Sequence, residues 1–431
     1  MKINKKTFFK IHSWIGIKLG ILFFIVCFSG TLATLSHEID WLFIKEIRAT
    51  PQDTLASRNL IIKNLKEAYP KGKLTYWLRT DEPYLCDILY VEQEGFGRTY
   101  VFANPYTGEV QGHANLTFQR FFRDLHYFLF IPFQIGHFTV LTFGFLLFIS
   151  LTTALCFYKK WWKKLFKLQT GKGALVFFRS LHRLVGLWSI PFTILFSITG
   201  IWYFAERTNI GGLGDAVNPK SPKIENTVFN NTDKFRFTID YDKAIALAKQ
   251  EVSGIEIGGI SPSKNNNEAI YLRGKSHVPL VRQRANRIYI NPNNYEVLKV
   301  QKAEEISTVM WLNDIADPLH FGYFGGLLTK IIWFIAGLGI SSLVLSGIWI
   351  TLRRKKIKQK KKESKIMGVW KYINGLFYLI MLLFMYSIII TRYSASTKVV
   401  SIISIGWLVF MAMGYYIFVY RLNKAVNNNI S

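Results

Sequence analysis

Cysteine is scarce in this chain. Its three residues, Cys27, Cys86 and Cys156, are scattered over 431 positions, and two of them sit inside apolar runs, so no disulfide framework is expected. The motif Cys-x-x-Cys-His is missing, which excludes covalently attached c-type haem. No dinucleotide glycine fingerprint is present and nothing reads as a flavin site, so no nicotinamide or flavin domain is expected. Acidic residues are few, 27 against 54 basic ones, for a formal charge of +27. That excess lies beside long apolar runs and not in an interleaved basic groove. It is a signal of membrane topology and not of nucleic-acid binding. With half its residues hydrophobic and 19% charged, the chain is too oily for an ordinary soluble enzyme and too structured for a disordered one.

Six apolar runs are long enough to cross a bilayer: Ile11–Ser36, Gln134–Tyr158, Phe178–Phe204, Leu327–Leu352, Val369–Thr391 and Val399–Tyr420. The first is too long for a signal-peptide core and continues into Glu38 and Asp40 without a small-residue cleavage site, so it reads as a retained helix. Lys2, Lys5, Lys6 and Lys10 precede it. Lys159, Lys160, Lys163, Lys164, Lys167 and Lys172 separate the second and third runs, and Arg353, Arg354, Lys355, Lys356, Lys358 and Lys360–Lys362 follow the fourth. All fall on one side of a six-span arrangement with both termini cytoplasmic. Lys18 is the one evident charge inside a span, near the inner face.

The expected fold is therefore a mainly α membrane protein: a four-helix transmembrane core, two extra C-terminal helices and two small outer α+β modules. In order, the chain divides into a tail with the first span (1–37), outer module 1 (38–122), the second span with an outer elbow (123–158) and a basic inner loop (159–177). The third span (178–205), outer module 2 (206–318), a fourth span with its elbow (319–352) and a second basic loop (353–368) follow. The fifth span (369–391), a short outer loop (392–398), the sixth span (399–420) and a tail (421–431) complete it. Each module opens with a helical stretch, Ser57–Tyr69 or Tyr241–Glu251, the latter with Asp240 as N-cap. Each closes on a strand, Asn–Pro, a turn and a returning strand, over Thr99–Val110 and Arg287–Val297.

The chain also repeats itself. The run beginning at Ile11 aligns without gaps with the run beginning at Leu181, pairing His12 with His182, Gly16 with Gly186 and Gly30 with Gly200. Asn104–Pro105 answers Asn291–Pro292, and His126 answers His320. Both copies start on the same side, so the repeat is parallel, with a pseudo-two-fold axis along the membrane normal. The last two spans lie outside it.

Histidine in membrane helices is a functional signal, and four of the eight here occupy repeat-equivalent pairs. His12 and His182 sit at the inner ends of spans one and three; His126 and His320 sit at the outer ends of spans two and four. On a straight helix Gly16 and Gly30 share the stripe of His12, and Gly186 and Gly200 that of His182, which lets a flat macrocycle lie against the backbone. The same glycines also suit a close-packing seam. Arg179 and Arg183, and Arg120 and Arg123, are placed to pair with propionates. Two imidazoles with no carboxylate or thiolate suit b-type haem better than zinc. His137 lies beyond Pro132, which breaks the segment, so either His126 or His137 supplies the outer ligand. A straight helix from His12 to His37 covers about 37 Å, and His37, beside Glu38, is a further candidate. His113 and His277 read as surface residues.

These features resemble the PepSY-associated transmembrane family, which contains bacterial iron-regulated inner-membrane proteins and ferric-siderophore reductases. The resemblance rests on His12, Trp14, Gly16 and Ser29–Gly30–Thr31; on Leu181–His182–Arg183, Gly186 and Thr199–Gly200; and on Asp124–Leu125–His126, Leu319–His320 and the close Asn104–Pro105–Tyr106–Thr107–Gly108–Glu109. It covers about residues 5 to 355. It implies an inner-membrane protein with two b-type haems on His12, His182, His126 and His320. Such a protein would take electrons from a cytoplasmic or quinol donor and reduce ferric siderophore at periplasmic PepSY-like modules. The second Asn–Pro lacks the Thr–Gly–Glu that follows the first. Two other readings stay open: a non-redox sensor or protease regulator whose strand edges bind peptide, and a siderophore permease.

Overall fold

The computed structural model describes residues 4–93, 97–224, 238–263, 268–359 and 367–422. The expectations for Lys2, Lys360–Lys362 and the tail beyond Leu422 lie outside them. Among the described residues four helices are long and apolar enough to cross a membrane, and six spans result if each of two bent pairs counts as one. The chain is a multi-pass membrane protein whose helices carry a separate antiparallel sheet.

The first bent pair is α1 (Lys5–Lys18) with α2 (Gly20–Thr34), at 74°; the second is α7 (Ala174–Trp188) with α8 (Ile190–Arg207), at 62°. The expectation of straight first and third spans is corrected here. The breaks fall at Leu19 and Ser189, which are equivalent in the sequence alignment. Pro191 lacks the N–H that would continue the ladder of α7. In the first pair Gly20 comes so close to Ile348 that a Cβ would lie 2.7 Å from its Cδ1. Bending also breaks the eighteen-residue stripe, so Gly30 and Gly200 do not lie along the faces of His12 and His182.

The bend lets each pair reach two partners. Helix α1 packs on α6 (Phe133–Phe157) and α2 on the long helix Gly326–Gln359; α7 packs on that same long helix and α8 on α6. Gly144 and Gly200 meet at the α6–α8 crossing, where a Cβ on either would touch the other's Cα at 3.2–3.3 Å. Before α6, helix α5 (Phe118–Phe128) stops at Leu129 and Phe130, both in the left-handed region, and Pro132 caps the new helix. Two further spans, Trp370–Ser387 and Thr397–Tyr415, pack on α2 and its neighbours.

Outside the bundle, α4 (Arg58–Ala68) precedes strands β1 (Lys73–Leu78), β2 (Asp87–Gln93), β3 (Gly97–Ala103) and β4 (Val110–Ala114). Helix α9 (Tyr241–Glu251) precedes β5 (Glu256–Ser261), β6 (Ile270–Lys275), β7 (Asn286–Ile290) and β8 (Val297–Gln301). Ser57 and Asp240 cap the two helices. The strands do not form two separate sheets. They join as β4-β3-β2-β1-β5-β6-β7-β8, with Trp77 opposite Ile260 and Leu78 opposite Gly259 at the junction. The two halves, each with its helix and four strands, thus share a single eight-stranded sheet.

The core under that sheet is shared by both halves and includes Ile61, Leu65, Trp77, Leu89, Tyr241, Ala244, Ile260 and Leu272. Asp87, fully buried, accepts from Arg58 Nη1 (3.0 Å), Arg79 Nε (2.7 Å) and Trp77 Nε1 (2.8 Å), while Arg58 Nη2 donates to the Ile257 carbonyl across the junction (3.0 Å). Both Asn–Pro turns form. Asn104 N donates to Glu109 O and Asn291 N to Glu296 O, and Tyr295 takes the positive φ that Gly108 takes in the first turn.

Lys18 is not the sole charge within a span. Lys330, in Gly326–Gln359, is 5% exposed and donates to Glu38 Oε1 (2.8 Å) and to Glu82, tying the helix bundle to the β1–β2 loop. Lys18 itself donates to the Met367 carbonyl at 2.6 Å.

Candidate functional site

The four repeat-matched histidines come together as two pairs. His12 on α1 and His182 on α7 have ring centres 6.3 Å apart. His126 on α5 and His320 on α10 (Thr308–Phe321) have ring centres 6.2 Å apart.

Backbone carbonyls fix the tautomer of two of the rings. Nδ1 of His12 donates to the Ser150 carbonyl at 3.0 Å, and Nδ1 of His126 to the Val26 carbonyl at 2.8 Å. A carbonyl only accepts, so both rings carry the proton on Nδ1 and keep the Nε2 lone pair, the state in which imidazole binds a metal. Nδ1 of His320 lies 2.7 Å from Thr199 Oγ1 and Nδ1 of His182 lies 2.9 Å from Ser346 Oγ, so each of these rings is held by a hydroxyl, which can take either role.

Glycine makes room at the outer pair. A Cβ on Gly30 would lie 2.7 Å from Cε1 and 2.8 Å from Nδ1 of His126, so only glycine lets that ring lie on α2. Near the inner pair, a Cβ on Gly16 would meet nothing within 4 Å and one on Gly186 only the Leu343 methyls at 3.8–3.9 Å. Aromatic rings wall the histidines: Phe157 stands 5.6 Å from His12, and Phe196, Tyr203 and Phe321 stand 5.2–5.6 Å from His320.

A family profile described as PepSY-associated TM region matches residues 9–354. The chain belongs to that family. No curated protein matches it. The profile spans the two bent pairs, the sheet and all four paired histidines of this PepSY-associated chain, and it ends before the last two spans.

The other candidates fall elsewhere. His137 has no histidine opposite it; its ring stacks on Phe133 (5.2 Å), lies 4.2 Å from Tyr127 and bonds the Tyr127 carbonyl at 3.1 Å. His37 lies on α3 (Ser36–Phe43), beside the Glu38, Lys330 and Glu82 cluster, and burial holds its pKa below the ordinary 6.5. Arg120 is buried and committed to Asp124 (3.0 Å) and the Tyr393 hydroxyl (2.8 Å), so it is not free for a propionate; Arg123 is exposed. Arg183 turns away from the rings to bond the Tyr158 hydroxyl (3.1 Å) and the Lys167 carbonyl. His113 bonds Tyr69, and His277 faces Glu304, both in the outer part.

Sequence reading did not single out Ser150, Ser346 and Thr199 as histidine anchors, or Lys330 as a buried cation. A hydroxyl in an apolar helix usually bonds its own backbone, so nothing local marks these three. Lys330, three residues into an apolar run, was a visible signal.

Proposed function

We propose that this PepSY-associated membrane protein is a di-haem b electron carrier that reduces a ferric siderophore outside the bacterial inner membrane. The observation that carries the proposal is the pair of opposed imidazole sets, each ring held at Nδ1 by a neighbouring oxygen. Among the described residues no three His, Cys, Asp or Glu side chains form a metal-binding group, so the donor set at each place is two imidazoles. Metal–imidazole bonds of roughly 2 Å on both sides of an iron put two ring centres roughly 6 to 6.5 Å apart, and both pairs have that spacing. The residues therefore fit the group: His12 with His182 would hold one haem, and His126 with His320 the other. A bound iron porphyrin supplies a centre that takes up and gives back one electron.

The chain's own residues do the rest. The Nδ1 anchors keep the rings in place and raise their basicity as ligands. Phe157, Phe196 and Phe321 keep water from the rings. The basic residues beside the span ends support an orientation with both termini in the cytoplasm and the sheet in the periplasm; in that orientation a cytoplasmic or quinol donor would serve the inner pair and the chelate would meet the outer part. One electron converts the chelated ferric ion to ferrous, which oxygen-rich chelators hold less tightly. The β1–β5 pairing uses one edge of each half-sheet, leaving β4 and β8 as edges, which weakens the peptide-adding alternative.

Proteoliposomes loaded with dithionite and given an external ferric hydroxamate test this directly. The haem-loaded wild type is expected to reduce the chelate across the bilayer, and His126→Ala and His12→Ala each to stop it. Equal rates in wild type and both variants would refute the proposal.

A further inference from the structure

At the bundle end remote from the sheet, the segment joining α6 to α7 and the first turns of α7 border a half-open recess of about 350 Å³. Lys164, Arg179 and Arg183 line it together with Tyr158, Gln169 and Ser180, and among the described residues no lining residue is acidic. Arg179 and Arg183 are four residues apart, on one helix face. Lys164 and Arg183 both lie over the ring of Tyr158, at 5.5 and 5.9 Å. Arg183 is oriented by the Tyr158 hydroxyl and the Lys167 carbonyl, yet its Nε is buried with no hydrogen-bond partner among the described residues. Three cations around one recess, one of them with an enclosed unsatisfied donor, call for an anion. Neither His12 nor His182 lines this recess, so it is separate from the paired imidazoles.

Beside the recess lies an apolar ledge. Phe166 is 82% exposed and Trp188 55%, their rings 6.0 Å apart, and the Trp188 indole donates to the Leu165 carbonyl at 2.8 Å. Trp162, also 55% exposed, stands on the same segment. Trp162 follows the end of α6, where a tryptophan marks headgroup depth. A ligand with an anionic group for the recess and apolar chains for the ledge satisfies both halves. We infer that this recess is a binding site for an anionic phospholipid, its phosphodiester held by Lys164, Arg179 and Arg183 and its acyl chains lying along Phe166 and Trp188.

The test uses the full chain purified in a neutral detergent. Its Tm is measured with dioleoyl phosphatidylglycerol, dioleoyl phosphatidylcholine or inorganic phosphate at equal concentrations, for wild type and for the Arg179→Gln, Arg183→Gln double variant. Phosphatidylglycerol is expected to raise the wild-type Tm by a few degrees and to leave the double variant unmoved, with the other two additives giving no rise. A rise with inorganic phosphate alone would assign the recess to a soluble phosphate compound. An equal rise with phosphatidylcholine, or a response kept by the variant, would remove the role of the cations. Native mass spectrometry of the wild type needs no variant: one phosphatidylglycerol should stay bound at energies that strip phosphatidylcholine, and equal retention overturns the assignment.

Discussion

Gly30 lies against the imidazole of His126: a Cβ there would come within 2.8 Å of two ring atoms, on a helix whose Val26 carbonyl accepts from the same ring. Gly30→Ala is therefore expected to displace His126 and disable the outer pair while the inner pair keeps its geometry. Haem content should fall from two towards one per chain, measured by absorbance against protein mass. Two haems retained in Gly30→Ala would show that the ring does not need this space.

Thr199 anchors His320 through a hydroxyl 2.7 Å from its Nδ1. Thr199→Val keeps the shape and removes that hydrogen bond. Loss of such an anchor costs roughly 10- to 100-fold in metal affinity, so the outer haem should transfer to apomyoglobin about that much faster. The inner haem should transfer at its wild-type rate.

How much of this was legible in the sequence depended on range. The His12–His182 pair is legible because the runs at Ile11 and Leu181 align without gaps, the His126–His320 pair because Leu125–His126 answers Leu319–His320, and the break at Pro132 because proline ends a helix for a local reason. The bend at Leu19 had no such local sign; it depends on Ile348 fitting against Gly20, a contact far away in the chain. The same holds for the sheet. Trp77 meets Ile260 across more than 180 residues, and alternation within either strand reports its faces but not its neighbour. On a straight helix Gly30 lies under His12; with the bend it serves His126.

Asp87 joins α4, β1 and β2 through buried charge, and Arg58 carries that link to the Ile257 carbonyl of the other half-sheet. Removing one partner of a buried pair costs roughly 3–5 kcal/mol. Asp87→Ala is expected to destabilise the sheet by about that amount, seen as an earlier loss of β signal in thermal circular dichroism while the helical signal persists.

Glu82 gives a pH signature. Burial alone would raise its carboxyl, but the Lys330 ammonium, together with His37 and the hydrogen bonds the carboxylate accepts, more than reverses this and holds the group below its ordinary 4.5. A depressed carboxyl stabilises the fold above the unfolded value, and that contribution is lost as pH falls through the folded value. Wild-type Tm should therefore decline as pH drops below about 4.5, and Glu82→Gln should flatten that decline. An identical pH profile in Glu82→Gln would mean the pair does not tie the sheet to the bundle.

The most direct measurement is haem per chain by pyridine haemochrome on wild type and on single histidine variants. Two facing pairs predict two b-type haems in wild type, one in each of His12→Ala, His182→Ala, His126→Ala and His320→Ala, and two in His137→Ala. A wild-type protein that binds no haem when made in haem-supplied cells would contradict the account.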